Sequence, residues 1–474
     1  KITEITKGYA TPTQNDEVVN LKQSYVLPGF MDMHVHLAQE YVPKAERQSK
    51  IEPEYRALFA ANAASKTLMA GFTSVRNVGD GGMETISLRE AINQGLVIGP
   101  RIFTSGKTIA TTGGHGDPTN GMAKADYSPP SPEDGVIDSP EEAIKAVRQR
   151  YKDGTDGIKI TATGGVLSVA KSGENPQFTQ DELLAIISTA NDYGLWTAAH
   201  AHGKEGMKRA VIAGINSIEH GTYMDQEVMS LMKERGTYYV PTIMAGDWVA
   251  EKAKIPNFFP ALVKPKAEKI GPQIQATFSQ AYKAGVKIAF GTDSGVSAHG
   301  DNWQEFILMT NAGMSNKDAL KSATIETAKL LRVEDILGQI KPGMFADIIA
   351  FQKNPIEDTD TLELVLDEAI TREVPALEKG LSMIKLFAAV APLLGLLGTV
   401  TGMIATFQSI SLFGTGDPKL MANGISQALV TTMLGLCAAI PLLFIHNLLA
   451  SRSKNLVQIL DEQSAGIISR RAGK

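Results

Sequence analysis

Two histidines separated by one residue, His34 and His36, stand in the segment MDMHVHL near the start of the chain. Side chains alternate between the two faces of a β-strand, so a strand through this segment sends both imidazoles to the same side. Two imidazoles on one side can share a divalent cation. A lone pair of this kind is weak evidence, because two hydrogen-bonded core histidines would have the same spacing.

Four further residues of similar chemistry end other short apolar runs. They are Lys159 in GIKITATGG, His200 in AAHAHG, His220 in SIEHG and Asp293 in AFGTDSG. Chance placement of all these side chains at strand ends is improbable, and together with the histidine pair they indicate a metal site. The single cysteine, Cys437, excludes a cysteine-cluster metal site and an internal disulfide framework.

Eight candidate strands would position these residues. Short β-branched or aromatic runs alternate with amphipathic helical stretches at intervals of roughly 30 to 45 residues, which is typical of repeated βα units. Closure of eight units predicts a (β/α)₈ TIM barrel with its chemistry at the C-terminal ends of the strands. The predicted strands are Gly29–Leu37, Thr73–Val78, Arg101–Ser105, Gly157–Ala162, Trp196–Ala201, Ser217–His220, Tyr238–Thr242 and Lys287–Asp293.

The order HxH, Lys, His, His, Asp resembles the binuclear branch of the metal-dependent amidohydrolase superfamily. From residue 1 to about 360, the segments VLPGFMDMHVHL, TSVRNVGD, TGGHGD, IKITATGGV, AAHAHG, IEHGTYMD, GTDSGV and GQIKPGMFADI are similar to the imidazolonepropionase-like and Xaa-Pro dipeptidase-like group. The resemblance implies two divalent cations, with Zn²⁺ expected. The implied ligands are His34, His36, Lys159, His200, His220 and Asp293.

The resemblance also implies that Lys159 carries a carbamate derived from carbon dioxide and bridges both cations. The alternative is an ordinary buried lysine paired with a carboxylate, since an unpaired buried ammonium has a large desolvation cost. Imidazolonepropionase itself works with one metal and lacks this lysine. Lys159 therefore favours the dipeptidase-like side of the group.

The implied activity is hydrolysis of the amide bond of a small dipeptide or N-acyl amino acid. Two cations lower the pKa of a bridging water from about 15.7 to about 7, and Asp293 would move the proton from that nucleophile to the departing amine. In AAHAHG the family pattern makes His200 the ligand and leaves His202 as a pocket residue. Arg76 is expected to be structural, and Glu305 to be a solvated or helix-capping carboxylate.

Substrate contacts are expected from four residues in or beside the loops at the barrel mouth. Long Gly- and Pro-containing connections, Gly106–Ser139 and Gly164–Thr179, are predicted substrate loops. The alternative for their polar residues is hydrogen bonding to neighbouring backbone. The candidate substrate-binding residues are His115, His202, Tyr223 and His299.

Beyond residue 380 the chain becomes membrane-like. Leu386–Ile410 and Ile425–Ala450 contain no charged residue and are long enough, at about 1.5 Å per residue, to span about 30 Å of hydrocarbon. Basic residues flank the outer ends, which predicts an inner-membrane hairpin with the barrel in the cytoplasm. The natural compartment of the hydrolase part stays open, because a signal peptide before Lys1 is either removed or absent.

The segments VPALEKGLSMIKLFAAVAPLLGLLGTVTGMIATFQSI and GISQALVTTMLGLCAAIP resemble the last two transmembrane helices of the ExbB/TolQ proton-channel family. Thr399 and Thr432 match the pore-lining threonines of that family. Gln427 stands where many members carry a membrane glutamate, and the family's first transmembrane helix has no counterpart. A working channel is therefore not expected.

The predicted organisation has four parts. Residues 1–27 form the N-terminal part of a small, incomplete β-sandwich, 28–334 the barrel, 335–362 a return to the sandwich, and 363–474 the membrane segment. Since the parts on either side of Thr361–Asp367 resemble unrelated families, the favoured interpretation is a chimera of two genes. A natural membrane-tethered enzyme is the alternative.

Two other functions stay open at this point. One is a cyclic amide hydrolase of the imidazolonepropionase type, and the other is an inner-membrane energy-transducing subunit with the barrel as passenger. The net charge of -5, with interspersed signs, argues against a nucleic-acid partner. The expected partners are a small amide substrate, the membrane and further copies of the chain.

Overall fold

A computed structural model describes residues 1–8, 12, 16–41, 52–356, 381–413 and 418–472. The chain divides into two compact units, residues 1–362 and 363–474. The predicted join at Thr361–Asp367 lies outside the described residues.

The first unit is built on parallel strands. The strands are β1 Tyr25–Pro28, β2 Phe30–Val35, β3 Phe72–Asn77, β4 Arg101–Thr104, β5 Gly157–Thr161, β6 Trp196–Ala201, β7 Ser217–His220, β8 Tyr238–Val240 and β9 Ile348–Phe351. Strands β2, β3 and β4 form one parallel sheet, and β5, β6, β7 and β8 form another, while β1 and β9 pair antiparallel. The order along each parallel sheet follows the chain, as expected when a helix returns each strand to its neighbour.

The predicted eighth barrel strand, Lys287–Asp293, is not a regular strand, and that prediction is wrong in detail. The segment pairs with β8 through a single parallel bridge at Ile288, and the residue after the segment, Ser294, pairs with β2 through another. Asp293 has a φ of 59°, outside the extended region, so a continuous ladder cannot run through it. A third isolated bridge, Ile109 with Ile160, links the chain after β4 to β5.

Helices follow the strands of the first unit, and several begin at side-chain caps. Ser139 accepts a hydrogen bond from the backbone of Glu142, and Thr179 and Glu182 form a reciprocal capping box. The helices are α1 Pro53–Met69, α2 Glu84–Asn93, α3 Pro140–Asp153, α4 Gln180–Asp192, α5 Lys204–Ala213, α6 Gln226–Arg235, α7 Ile243–Ala253, α8 Lys264–Ala284, α9 Gln304–Asn311, α10 Asn316–Ser322 and α11 Ile325–Leu331.

An aromatic cluster lies at the N-terminal ends of the first strands. The Phe30 ring lies 4.8 Å from Phe306, which lies 4.3 Å from Phe290, and Phe72 lies 5.3 Å from Phe290. All four side chains are buried. Burial of large rings here anchors β2 and β3 at the ends opposite to the predicted site.

The expected β-sandwich is represented, among the described residues, by the β1–β9 ribbon. The backbone of Ile2 also bonds to Met344 at 2.8 Å and accepts from Gly343 at 2.8 Å. The two ends of the first unit therefore meet, as the predicted return segment requires.

The second unit is a hairpin of two long helices, α12 Leu381–Phe413 and α13 Pro418–Ala472. They contain two stretches long and apolar enough to cross a membrane, Met383–Leu412 and Ile425–Ala450, each only 11% buried in its most apolar window. The helices approach closely at Gly398, where a Cβ would collide with the Thr431 side chain. The predicted apolar spans are confirmed by length and composition.

Candidate functional site

The predicted ligands of the first unit surround one cavity at the C-terminal ends of the strands. Its volume is about 250 Å³. His34 comes from β2, Lys159 from β5, His200 from β6 and His220 from β7, so regular strands supply four of the six. The ionisable residues lining the cavity are His34, His36, His115, Lys159, His200, His202, His220 and Asp293.

The carboxylate of Asp293 lies between two imidazoles. Its Oδ1 atom is 3.3 Å from His36 Nε2 and 3.5 Å from His34 Nε2. This oxygen is buried and has no hydrogen-bond partner among the described residues. A buried acceptor without a partner is costly, and a bound cation would satisfy it.

Two further ligand candidates lie beside this group. Lys159 Nζ is 3.4 Å from His34 Nε2, and one ligand atom each of His34, His220 and Asp293 lie within 4.8 Å of one another. These atoms are close enough to share a metal centre. The donor set of imidazole, carboxylate and amine fits a borderline divalent cation such as Zn²⁺.

Each predicted histidine ligand has one ring nitrogen bonded to a neighbouring oxygen, which fixes the ring and leaves the other nitrogen for a cation. At His34 the Nδ1–H donates to a carboxylate, since a carboxylate oxygen only accepts. The pairs are His34 Nδ1 with Glu219 at 2.8 Å, His36 Nδ1 with Gly79 O at 3.3 Å, His200 Nε2 with Gly164 O at 3.1 Å and His220 Nδ1 with the Thr242 hydroxyl at 2.7 Å.

Burial favours the neutral forms of His34, His220 and Lys159. It lowers the pKa of His34 to about 4, with the positive charge of Lys159 adding to the effect, and it lowers the pKa of His220 well below its usual value. Neutral imidazole is the form that binds metal. Burial also lowers the pKa of Lys159 to about 8, which increases its neutral fraction.

A buried ion pair supports His34 from behind. Burial raises the pKa of Glu219, but the charge of Arg76 and the bond from His34 outweigh it and hold that pKa at about 2. Arg76 bonds Glu219 at 2.8 Å and Met33 O at 2.7 Å, and stacks over Trp196 at 5.1 Å. Arg76 is therefore structural, as expected. Glu219 was missed by the sequence reasoning, although it directly precedes a predicted ligand.

Residues with strained backbone conformations lie at the same strand ends. Among the described residues, five non-glycine residues have a left-handed φ, and three of them are His220 at 68°, Thr242 at 50° and Asp293 at 59°. Such conformations cost on the order of 1–3 kcal/mol each and persist where the surroundings hold them. Their clustering here is typical of a functional site.

Of the two roles expected for Glu305, a solvated carboxylate or a helix cap, the structure shows the helix cap. Its side chain is fully buried and accepts from the backbone N–H groups of Ile243 and Met244 at 2.9 and 2.7 Å. These are the first two residues of α7, whose unpaired N–H groups need acceptors. Glu305 thus fixes the turn at Thr242, which in turn bonds His220.

The four predicted substrate contacts separate into two groups. His115 and His202 line the cavity with the ligands, and the His115 ring centre lies 4.3 Å from that of His200. Tyr223 instead lines a second cavity beside α8, and His299 is bonded through Nε2 to Gln39 O at 3.0 Å, outside the residues that line the first. The structure does not bring these two to the cavity.

The channel-like residues lie in the second unit. Thr432 bonds its own helix at Ala428 O, 3.2 Å away, and lies 3.4 Å from Gly395 O of the other helix. Thr399 bonds Leu396 O within its helix, and Gln427 is exposed.

Comparison with known proteins agrees with this geometry. The amidohydrolase family model matches residues 25–379, and the chain belongs to that family. It is a hydrolase acting on C–N amide bonds, as predicted. Residues 340–462 match the MotA/TolQ/ExbB proton channel family, so both predicted resemblances are confirmed.

Individual relatives make the comparison more specific. The chain is 60% identical to a Xaa-Pro dipeptidase solved with methionine in its active site, with a TM-score of 0.74, over 76% of this chain and 89% of that one. It is 31% identical to an ochratoxinase of Aspergillus niger over 75% of each protein. An ExbB-like biopolymer transport protein of Synechocystis is 31% identical over 28% of this chain and 54% of its own length. The chain thus spans about half of that relative.

We expect Glu219→Gln to weaken metal binding about 10- to 100-fold, because a glutamine holds the His34 Nδ1–H more weakly and leaves Arg76 without its charge partner. Metal titration with a competing chelator measures this. Glu227→Gln, which removes an exposed carboxylate paired with Lys208, is the matched control. Equal affinity in the two variants would rule out Glu219 as a support of the ligand.

His200 and His202 both face the cavity, and their predicted roles differ. His200→Asn is expected to lose metal and activity together, whereas His202→Asn is expected to keep most of the metal and raise KM. Metal analysis of each purified variant beside its steady-state kinetics separates the two. The opposite pattern would exchange the two assignments.

Proposed function

We propose that the first unit is a two-metal hydrolase that cleaves the amide bond of a small dipeptide or N-acyl amino acid. The observation that carries this proposal is the buried, unpartnered Asp293 Oδ1 between His34 and His36 Nε2. The confirmed family adds the class of bond.

The ligands divide into two sets. His34, His36 and Asp293 would hold one cation, and His200 and His220 the other, with a carbamate on Lys159 between them. The lowered pKa of Lys159, about 8, supports the carbamate, because the neutral amine is the form that reacts with carbon dioxide. The 3.4 Å between Lys159 Nζ and His34 Nε2 supports its position near the first set.

The framework we infer is a closed eight-stranded barrel. The isolated bridges of Ile109, Ile288 and Ser294 support it, because they join the two parallel sheets and the 287–294 segment into one ring of neighbours. The ends of five different strands then converge on one mouth, as the ligand set requires.

The substrate side chain is proposed to be aliphatic. One wall of the cavity consists of Val166, Leu167, Val249, Ile270 and Ile274. Apolar walls favour apolar groups and reject charges. The methionine found in the active site of the dipeptidase relative is in keeping with this wall.

The chain's own residues would orient the substrate and move its proton. When bound, the two cations would acidify water and polarise the substrate carbonyl. Burial raises the pKa of Asp293, but His34 and His36 outweigh it and lower that pKa, so the carboxylate is ionised and can accept a proton. It would then return the proton to the leaving nitrogen. His115 and His202 would bond the polar groups of the substrate.

We further propose that the α12–α13 hairpin attaches this hydrolase to a membrane. The two apolar stretches and the proton-channel family match support attachment. Orientation with the barrel in the cytoplasm rests on the basic flanks of the spans. Channel activity is the competing function, and proton flux in vesicles without amide hydrolysis would favour it.

The first prediction from this proposal concerns stoichiometry. The wild-type chain should bind close to two equivalents of Zn²⁺ and show a mass increase on Lys159 in native mass spectrometry, because a carbamate on Lys159 would help to hold both ions. Lys159→Ala should lose most of the second equivalent. One equivalent with Lys159 unmodified would point to a mononuclear site of the cyclic amide hydrolase type.

The second prediction concerns Asp293. Asp293→Asn keeps the shape but removes the basic oxygen, so turnover should fall at least about 10²- to 10⁴-fold while KM changes less. Steady-state rates at matched metal content measure this. Asp192→Asn, at an exposed position of α4, should leave turnover unchanged; near-parental turnover of Asp293→Asn with both metals bound would remove Asp293 from the mechanism.

A further inference from the structure

Lys266, in the first turn of α8, donates all three hydrogen bonds of its ammonium group to a single loop. Its Nζ donates to the backbone carbonyls of Gly165 at 3.1 Å, Ser168 at 2.8 Å and Ala170 at 3.0 Å. An ammonium has three N–H donors, so this set uses every one. Bonds from a charged donor are also stronger than neutral ones.

The loop that Lys266 binds follows β5, and we define the β5 loop as residues 164–179. Its two ends are tied together at the base, where Gly164 N donates to Asn175 O at 3.1 Å and Gln177 N to Ala162 O at 3.0 Å. The Lys266 bonds lie further out, at residues 165–170. The base and the tip of the loop are therefore fixed by different interactions.

The tip of the β5 loop carries three side chains that reach the cavity or its lining. Val166 and Leu167 form part of the apolar wall and pack against a cluster that includes Val249 and Ile270. The Ser168 hydroxyl bonds His115 Nδ1. A shift of this tip would therefore move the wall and free the ring of His115.

We propose that Lys266 is a positioning residue that determines the affinity for aliphatic substrates. It holds the tip so that Val166 and Leu167 face the substrate side chain and Ser168 orients His115, while Lys266 itself lies outside the cavity lining. This inference rests on the proposed hydrolase function. The effect should fall on the substrate side chain, because Lys266 bonds the tip of the loop. The contact of this loop with a predicted metal ligand, Gly164 O with His200 Nε2, lies at the base, which other bonds hold.

The first test measures how easily the loop opens and does not depend on enzyme activity. Lys171 is exposed in the tip, and trypsin cleaves after it only when the surrounding chain opens. Lys266→Met, in the full-length chain in detergent, should speed this cleavage about tenfold or more. Mass spectrometry of the released peptides measures the rate. Lys264→Met is the matched control, since Lys264 lies in the same turn and forms an exposed pair with Glu268 at 3.7 Å, away from the loop.

The second test reads the substrate. For a methionine-containing dipeptide, Lys266→Met should raise KM roughly tenfold at unchanged metal content and with kcat within a few-fold. For the matching glycine-containing dipeptide KM should rise much less, because only the His115 contact and not the apolar wall would be affected. A general loss of folding would not produce this difference. Lys266→Arg keeps the charge but spreads its donors over a planar fork, so both readouts should fall between those of the wild type and Lys266→Met.

Unchanged cleavage after Lys171 in Lys266→Met, or equal changes of KM for the two dipeptides, would overturn the proposal. If Lys266→Met fails to fold, Lys266→Arg against wild type decides in the same way. Faster cleavage in a chain that hydrolyses neither dipeptide would contradict the proposed function and the substrate role of Lys266, while leaving its hold on the loop established.

Discussion

The Asp293 carboxylate is buried between the imidazoles of His34 and His36, with one oxygen lacking a hydrogen-bond partner among the described residues. An ionised group in such a place is unfavourable unless a compensating charge lies beside it. The rest of the site can be understood from this constraint. A His34 and a Lys159 with lowered pKa values and an aspartate in left-handed backbone make a site whose donor set fits cations.

Several buried interactions between residues far apart in the sequence hold the ligand side chains in place. Glu219 fixes His34 and is itself balanced by Arg76, and Glu305 fixes the α7 terminus that presents Thr242 to His220. None of these residues needs to touch a substrate. Their effect is to hold the imidazole rings in place, as the proposed metal coordination requires.

Much of the site could be predicted from sequence because its ligands follow a local pattern. A histidine, lysine or aspartate at the end of an apolar run can be recognised within ten residues, and seven of the eight predicted strands form close to their predicted bounds. The supporting residues could not be found in this way. His34 and Glu219 are 185 residues apart, and Lys266 binds carbonyls about 100 residues away, so no local pattern records the pairing. The eighth strand failed for another reason, since the left-handed turn at Asp293 depends on the packing around it. The membership of the hydrolase part in the amidohydrolase family was predicted correctly, while the roles of individual residues stay predictions.

We infer that the cavity holds two cations joined through Lys159. Anomalous X-ray diffraction at the zinc edge, on crystals of the Zn²⁺-loaded chain, tests it most directly. The account predicts two peaks about 3.5–4 Å apart, one beside His34, His36 and Asp293 and the other beside His200 and His220, with extra density continuous with Lys159 Nζ between them. A single peak with an unmodified lysine, or peaks outside this cavity, would contradict it.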